Sequence, residues 1–158
     1  MADVPEAMKT LDRQPDLRFK EDERLFRRFR PEDFDGDEVA PEVFELPDMS
    51  VNREKHGQPE WLLLDEGSEG WGVVGFRVMD IPRQQKMHHL GAIVYLLQAE
   101  HIPLRYNYPH SEVRIYRDGE RICVFANNLH LLEPAFHLRW RERLSRVCKL
   151  VIAPEQVE

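Results

Sequence analysis

A chain of 158 residues is the size of one domain, and 42% hydrophobic residues, three of them Trp and eight Phe, suffice for one buried core. Charged side chains reach 32%, yet large apolar residues recur from Leu25 to Ile152, which argues against wholesale disorder. The net charge of -7 argues against a protein built to hold a duplex phosphate backbone, because that affinity comes from basic surface.

The two cysteines, Cys123 and Cys148, are too few for a disulfide framework, so a reducing compartment and a cytoplasmic setting are expected. The first residues carry acids and prolines where a secretion signal needs a basic start and an apolar centre. The longest apolar run, residues 90 to 97, falls well short of the roughly 20 residues that cross a bilayer as a helix. No membrane association is expected.

Residues 1–16 are polar and punctuated by proline and read as a flexible tail; residues 17–154 read as a single α+β domain, and residues 155–158 as a disordered end. Leu25, Phe26 and Phe29 among alternating charges, stopped by Pro31, predict an N-terminal helix over residues 20–29. Residues 31–41, bracketed by prolines, predict a loop. Short strands are expected at 43–46 and 49–51, and a single helical turn started by Pro59 follows. Val74, Phe76 and Val78 at period two predict a strand over 72–79. The β-branched start of the 93–100 run favours a second.

Asp118-Gly119 between two alternating segments predicts a hairpin, 112–117 with 120–125. In that register Arg117 opposes Glu120 as an ion pair, Ile115 opposes Ile122, and Val113 opposes Val124, giving one apolar face. Glu112, Arg114, Tyr116, Arg121 and Cys123 occupy the other. After Glu133-Pro134, Phe136, Trp140, Leu144 and Val147 predict an amphipathic C-terminal helix docked on the sheet, and residues 150–152 a closing strand. The expected fold class is therefore α+β: an antiparallel or mixed sheet of four to six strands with an N-terminal helix and a C-terminal helix packed on it.

Motifs with chemistry are sparse. The acids of residues 33–38 alternate as in a calcium loop, but Gly36 precedes Asp37 and the twelfth position is Phe44, so a solvated loop is expected. His110-Ser-Glu112 matches half of the zinc-deaminase pattern and lacks the cysteine half. No Gly-rich phosphate loop and no G-x-S-x-G is spelled, and nothing in the pattern marks Ser50 as an activated nucleophile. Residues 50–53 and 107–113 have the look of motifs, with no family to attach them to.

Residues 101–112 concentrate imidazole, amide, aromatic and carboxylate groups between two predicted strands. Pairing of those strands brings His101 near His110, and His110 and Glu112, two apart, share a face. Two imidazoles and a carboxylate can hold iron or zinc, or act as a metal-free acid and base with Arg114 offsetting negative charge. A strand-end histidine is more often a packing residue, so neither a metal nor a cofactor is expected. Tyr106, Asn107 and Tyr108 are candidate binding residues. Arg24, Arg27 and Arg28 near one end and Arg139, Arg143 and Arg146 on the last helix read first as solvated helix faces with interleaved acids, and otherwise as a surface suited to a protein partner or, as a lesser expectation, to RNA. The leading expectation is a cytoplasmic accessory domain that binds another protein; the alternative is a small hydrolase or ribonuclease using His101, His110, Glu112 and Arg114.

Overall fold

The computed structural model describes residues 4–87 and 93–156. An antiparallel sheet forms its body: β1 (Arg24–Phe29), β2 (Met49–Arg53), β3 (Gly72–Arg77), β4 (Gln84–Met87), β5 (Ile93–His101), β6 (His110–Arg117) and β8 (Lys149–Ile152) lie in the order β4-β5-β6-β2-β1-β3-β8. The short β7 (Glu120–Arg121) pairs with the far end of β6. One α-helix, α1 (Pro134–Val147), occurs among the described residues, and the connections contain several short 3-10 turns.

One face of the sheet carries the core. Leu25 and Phe29 of β1, Met49 and Val51 of β2, Phe76 of β3, Leu97 of β5 and Ile115 of β6 meet Phe136, Trp140 and Leu144 of α1, all nearly or fully buried. Phe44 and the 3-10 turn Pro41–Val43 fill the space beside the helix. The Trp140 indole N–H donates to Phe44 O at 3.1 Å, so this large apolar group enters the core without stranding its donor. On the opposite face the Pro59–Leu63 turn and the loop after it cover the β1 and β3 side; Ser50, Leu96 and Gln98 are exposed there, Glu112, Arg114 and Tyr116 half-buried, and Asn52 and His110 buried.

The N-terminal helix expected over residues 20–29 is absent. Residues 24–29 instead pair throughout with β3, and Leu25 and Phe26 also pair with β2. The reason is position: β1 lies between two strands, Leu25 and Phe29 face the core, and Phe26 is buried on the other side at 1% exposure. A strand buried on both faces loses its polar alternation and imitates helical spacing. The sheet also exceeds the expected four to six strands, partly because β1 joins it and partly because the polar letters of β4 (Gln-Gln-Lys-Met) give no period-two signal. Residues 43–46 form no strand; Val43 ends a 3-10 turn.

The hairpin turn lies at Asp118 (φ 52°) and Gly119 (φ 82°), both left-handed, as a two-residue turn between twisted strands requires. Arg117 opposes Glu120, and the Ile122 N–H donates to Ile115 O at 2.9 Å. The returning strand is shorter than expected: Val124 starts a 3-10 turn, is 67% exposed, and does not oppose Val113. Arg117 reaches Glu133 at 3.7 Å and Leu131 O at 2.9 Å, while Glu120 accepts from Asn128.

Candidate functional site

Strand pairing sends the expected catalytic residues to two faces. His101 opposes Ser111 and lies on the core-facing side at a strand end, whereas His110 opposes Asn52 and Glu112 opposes Ser50 on the outer face. His101 Nδ1 accepts the Asp16 N–H at 2.7 Å, so Nε2 carries the hydrogen and donates to Tyr108 O at 2.7 Å. Burial pushes the His101 pKa below its ordinary value. Its ring stacks on His56 with centroids 5.4 Å apart.

Glu112 is occupied too. Arg114 Nε and Nη2 donate to Glu112 Oε1 at 3.0 and 2.9 Å, and Arg114 also reaches Glu100 at 3.6 Å. His110, Glu112 and Arg114 thus share the outer face, but His101 does not join them. Among the described residues no three of the types His, Cys, Asp and Glu are grouped so as to hold a metal ion.

The two motif-like segments, 50–53 and 107–113, do come together, because β2 pairs with β6. They form the floor of a cleft of about 590 Å³. Asn52 and Asn107 exchange side-chain hydrogen bonds of 3.1 and 2.8 Å across it. Beside them His110 Nδ1 lies 2.8 Å from Ile102 O, and Nε2 lies 3.3 Å from Ser50 Oγ. One wall is Trp61, Leu62 and Leu64; the other is Leu104 and Tyr106, with Val4 and Met8 also lining the cleft.

Local sequence sets both walls. Pro59 starts the 3-10 turn that presents Trp61 and Leu62. Gly57 allows close approach beneath it: a Cβ at Gly57 would lie 2.6 Å from Pro109 Cγ and 2.7 Å from Trp61 Cε3. The 104–107 turn closes on itself through Leu104 N–H to Asn107 O at 3.2 Å and Asn107 N–H to Leu104 O at 3.0 Å. Arg28 ties the first wall to the sheet, donating to Leu62 O at 3.3 Å, to Asp65 at 2.7 Å and to the Ser68 hydroxyl. Burial pulls Asp65 upward, but Ser68 and Arg28 more than offset it, so its carboxyl lies below the ordinary range.

Of the candidate binding residues, Tyr106 and Asn107 line this cleft, while Tyr108 points elsewhere: it is 5% exposed and its hydroxyl donates to Gln14 O at 2.7 Å. Arg139, Arg143 and Arg146 line a separate concavity of about 220 Å³ with Pro82 and Trp140. Sequence reasoning noticed residues 50–53 and Arg28 but gave Ser50, Asn52, Arg28 and Trp61 no place in a site. The available signal was the density of polar side chains in 50–53 and 107–113; what it lacked was the pairing of β2 with β6.

A buried charged cluster adjoins this region. Arg53 is fully buried; its guanidinium donates to Glu23 at 2.6 and 2.8 Å and to the carbonyls of Asp16 and Arg18 at 2.5 and 2.6 Å, over the Phe19 ring. Lys55 and His56 approach Asp16 Oδ2 at 2.7 and 2.9 Å. The Lys55 hydrogen bond leads in holding the Asp16 carboxyl far below its usual range. These contacts strap residues 16–23 to the sheet end, and Met8 O accepts the Tyr108 N–H at 2.7 Å further along.

Compared with models of known protein families, with characterised proteins and with solved structures, the chain gives no match.

Proposed function

We propose that this chain is a protein-interaction domain that receives an extended segment of a partner, carrying an apolar side chain, between residues 61–65 and 104–107. The observation that carries this reading is the pairing of apolar walls with a polar floor. Leu64 and Leu104 are each 48% exposed and Tyr106 is 40% exposed, so the free protein keeps apolar surface wet at the rim of a concavity. Aromatic and arginine side chains around a desolvated centre are the usual composition of an energetic hot spot. The half-buried Asn107 amide, steadied by the buried Asn52, adds hydrogen-bonding capacity for a partner's backbone.

A cytoplasmic setting belongs to the same reading, supported by Cys123 and Cys148 both being free thiols. The alternative of a hydrolase through His101, His110 and Glu112 has weaker support, since His101 faces away and Glu112 is held by Arg114.

The test is site-specific photocrosslinking in the native cell from position 106, with position 149 on the outer strand β8 as control. A discrete adduct at 106 that is lost in a Leu104→Asp background supports the proposal. Identical adducts from both positions, or an adduct indifferent to Leu104→Asp, overturns it.

A further inference from the structure

We infer that Ser50 and His110 form a nucleophile and base pair that takes the acyl group of a carboxylic ester entering the cleft. The inference shares with the docking proposal only the premise that the cleft admits a ligand.

A serine beside a histidine is commonly a plain structural hydrogen bond, and three features separate this pair from that case. First, the Ile102 carbonyl 2.8 Å from His110 Nδ1 fixes the hydrogen on that nitrogen, so Nε2, 3.3 Å from Ser50 Oγ, presents its lone pair to the hydroxyl. Second, the imidazole is 9% exposed while Ser50 is exposed and lines the cleft, the arrangement a nucleophile needs to meet a substrate. Third, among the described residues the Ser50 hydroxyl has no hydrogen-bond partner except His110, so no other contact competes for its proton. The backbone beneath it is braced as well, for Arg27 Nη1 donates to Ser50 O at 2.7 Å.

The chemistry balances without a cofactor. Ser50 Oγ bonds to the ester carbonyl carbon as its proton passes to His110 Nε2. For the tetrahedral oxyanion the cleft floor offers the half-buried Asn107 amide, which spends one N–H on the buried Asn52 and keeps one. The carbon–oxygen bond to the leaving alcohol then breaks, and that alcohol takes the proton from Nε2. Water, deprotonated by the same nitrogen, releases the carboxylic acid and restores Ser50. Trp61 and Leu62 favour an ester whose acyl or alcohol part is apolar.

The experiment treats the full chain with an alkyl fluorophosphonate and follows hydrolysis of p-nitrophenyl butyrate. Expected are an adduct that peptide mass spectrometry places on Ser50, no adduct there in Ser50→Ala, and turnover reduced about 100-fold or more in that variant. The hydroxyl is exposed, so Ser50→Ala keeps the fold. In His110→Gln, which removes the base, the labelling rate of Ser50 falls about tenfold or more. A wild-type chain with no Ser50 adduct, or turnover unchanged in Ser50→Ala, overturns the inference. A chain that crosslinks through position 106 yet is not labelled at Ser50 sinks the nucleophile and leaves the docking proposal standing.

Discussion

His101 illustrates how one side chain can be set by its hydrogen bonds toward structure instead of chemistry. Both ring nitrogens are spent on backbone, one accepting from Asp16 and one donating to Tyr108, and Arg53, His56, Asp16 and Tyr108 surround the ring. Protonation adds a hydrogen where Nδ1 now accepts, and burial already disfavours the charged form. The folded pKa therefore lies below the unfolded value of about 6.5, and the unfolded chain takes up the proton first. The stability that neutral His101 contributes is complete above that value and drains away as pH falls through the folded pKa. Urea midpoints are expected to drop from pH 7.5 to 5.5, and His101→Gln is expected to flatten that slope. His137, also lowered chiefly by burial, contributes in the same direction. An undiminished slope in the variant counts against this account. Arg53, in contrast, is buried and charged because four oxygens from three residues of the strap, Asp16, Arg18 and Glu23, satisfy its guanidinium, which periodicity cannot foretell.

Among the elements, the β6–β7 hairpin was the most legible and β1 the least. The hairpin depends on local chemistry: Asp118 and Gly119 accept left-handed backbone angles, and the flanking alternation then fixes the register. Gly119→Ala places a Cβ at φ 82°, so a loss of about 1 kcal/mol is expected even though open space surrounds that atom; equilibrium denaturation measures it, and an unchanged midpoint refutes the strain argument. The C-terminal helix was legible for a similar reason, since one face alone meets the core and Phe136, Trp140 and Leu144 keep helical spacing. β1 has two buried faces and two strand neighbours, so its apolar letters follow the sheet and not a local period. β4 failed for the opposite reason, having almost no apolar letters to read.

The whole molecule is a single sheet whose core face is closed by α1 and whose outer face is partly covered, and residues 8–23 run along one end of it. That segment makes contacts on which buried groups depend: Asp16 supplies an oxygen to Arg53 and an N–H to His101, and Met8 supplies an oxygen to the Tyr108 amide. Deleting residues 1–16 is expected to leave these groups unpaired, at about 1–3 kcal/mol for each buried one. At about 2–4 °C per kcal/mol for a chain of this size, the thermal midpoint falls measurably. An unchanged midpoint shows the segment to be dispensable to the fold.

The same division runs through the candidate site. Turn residues, amphipathic spacing and proline starts act within a few neighbours, so the hairpin, the last helix and the Pro59 turn could be read along the chain. The cleft could not, because Ser50 and His110 lie 60 positions apart and meet only when β2 enters the sheet beside β6. His101 and His110 stand close in sequence, yet a ladder that alternates side chains turns them to opposite faces. Sequence carried the local conformations; long-range strand pairing, which depends on how the whole core is filled, decided which chemical groups share a surface.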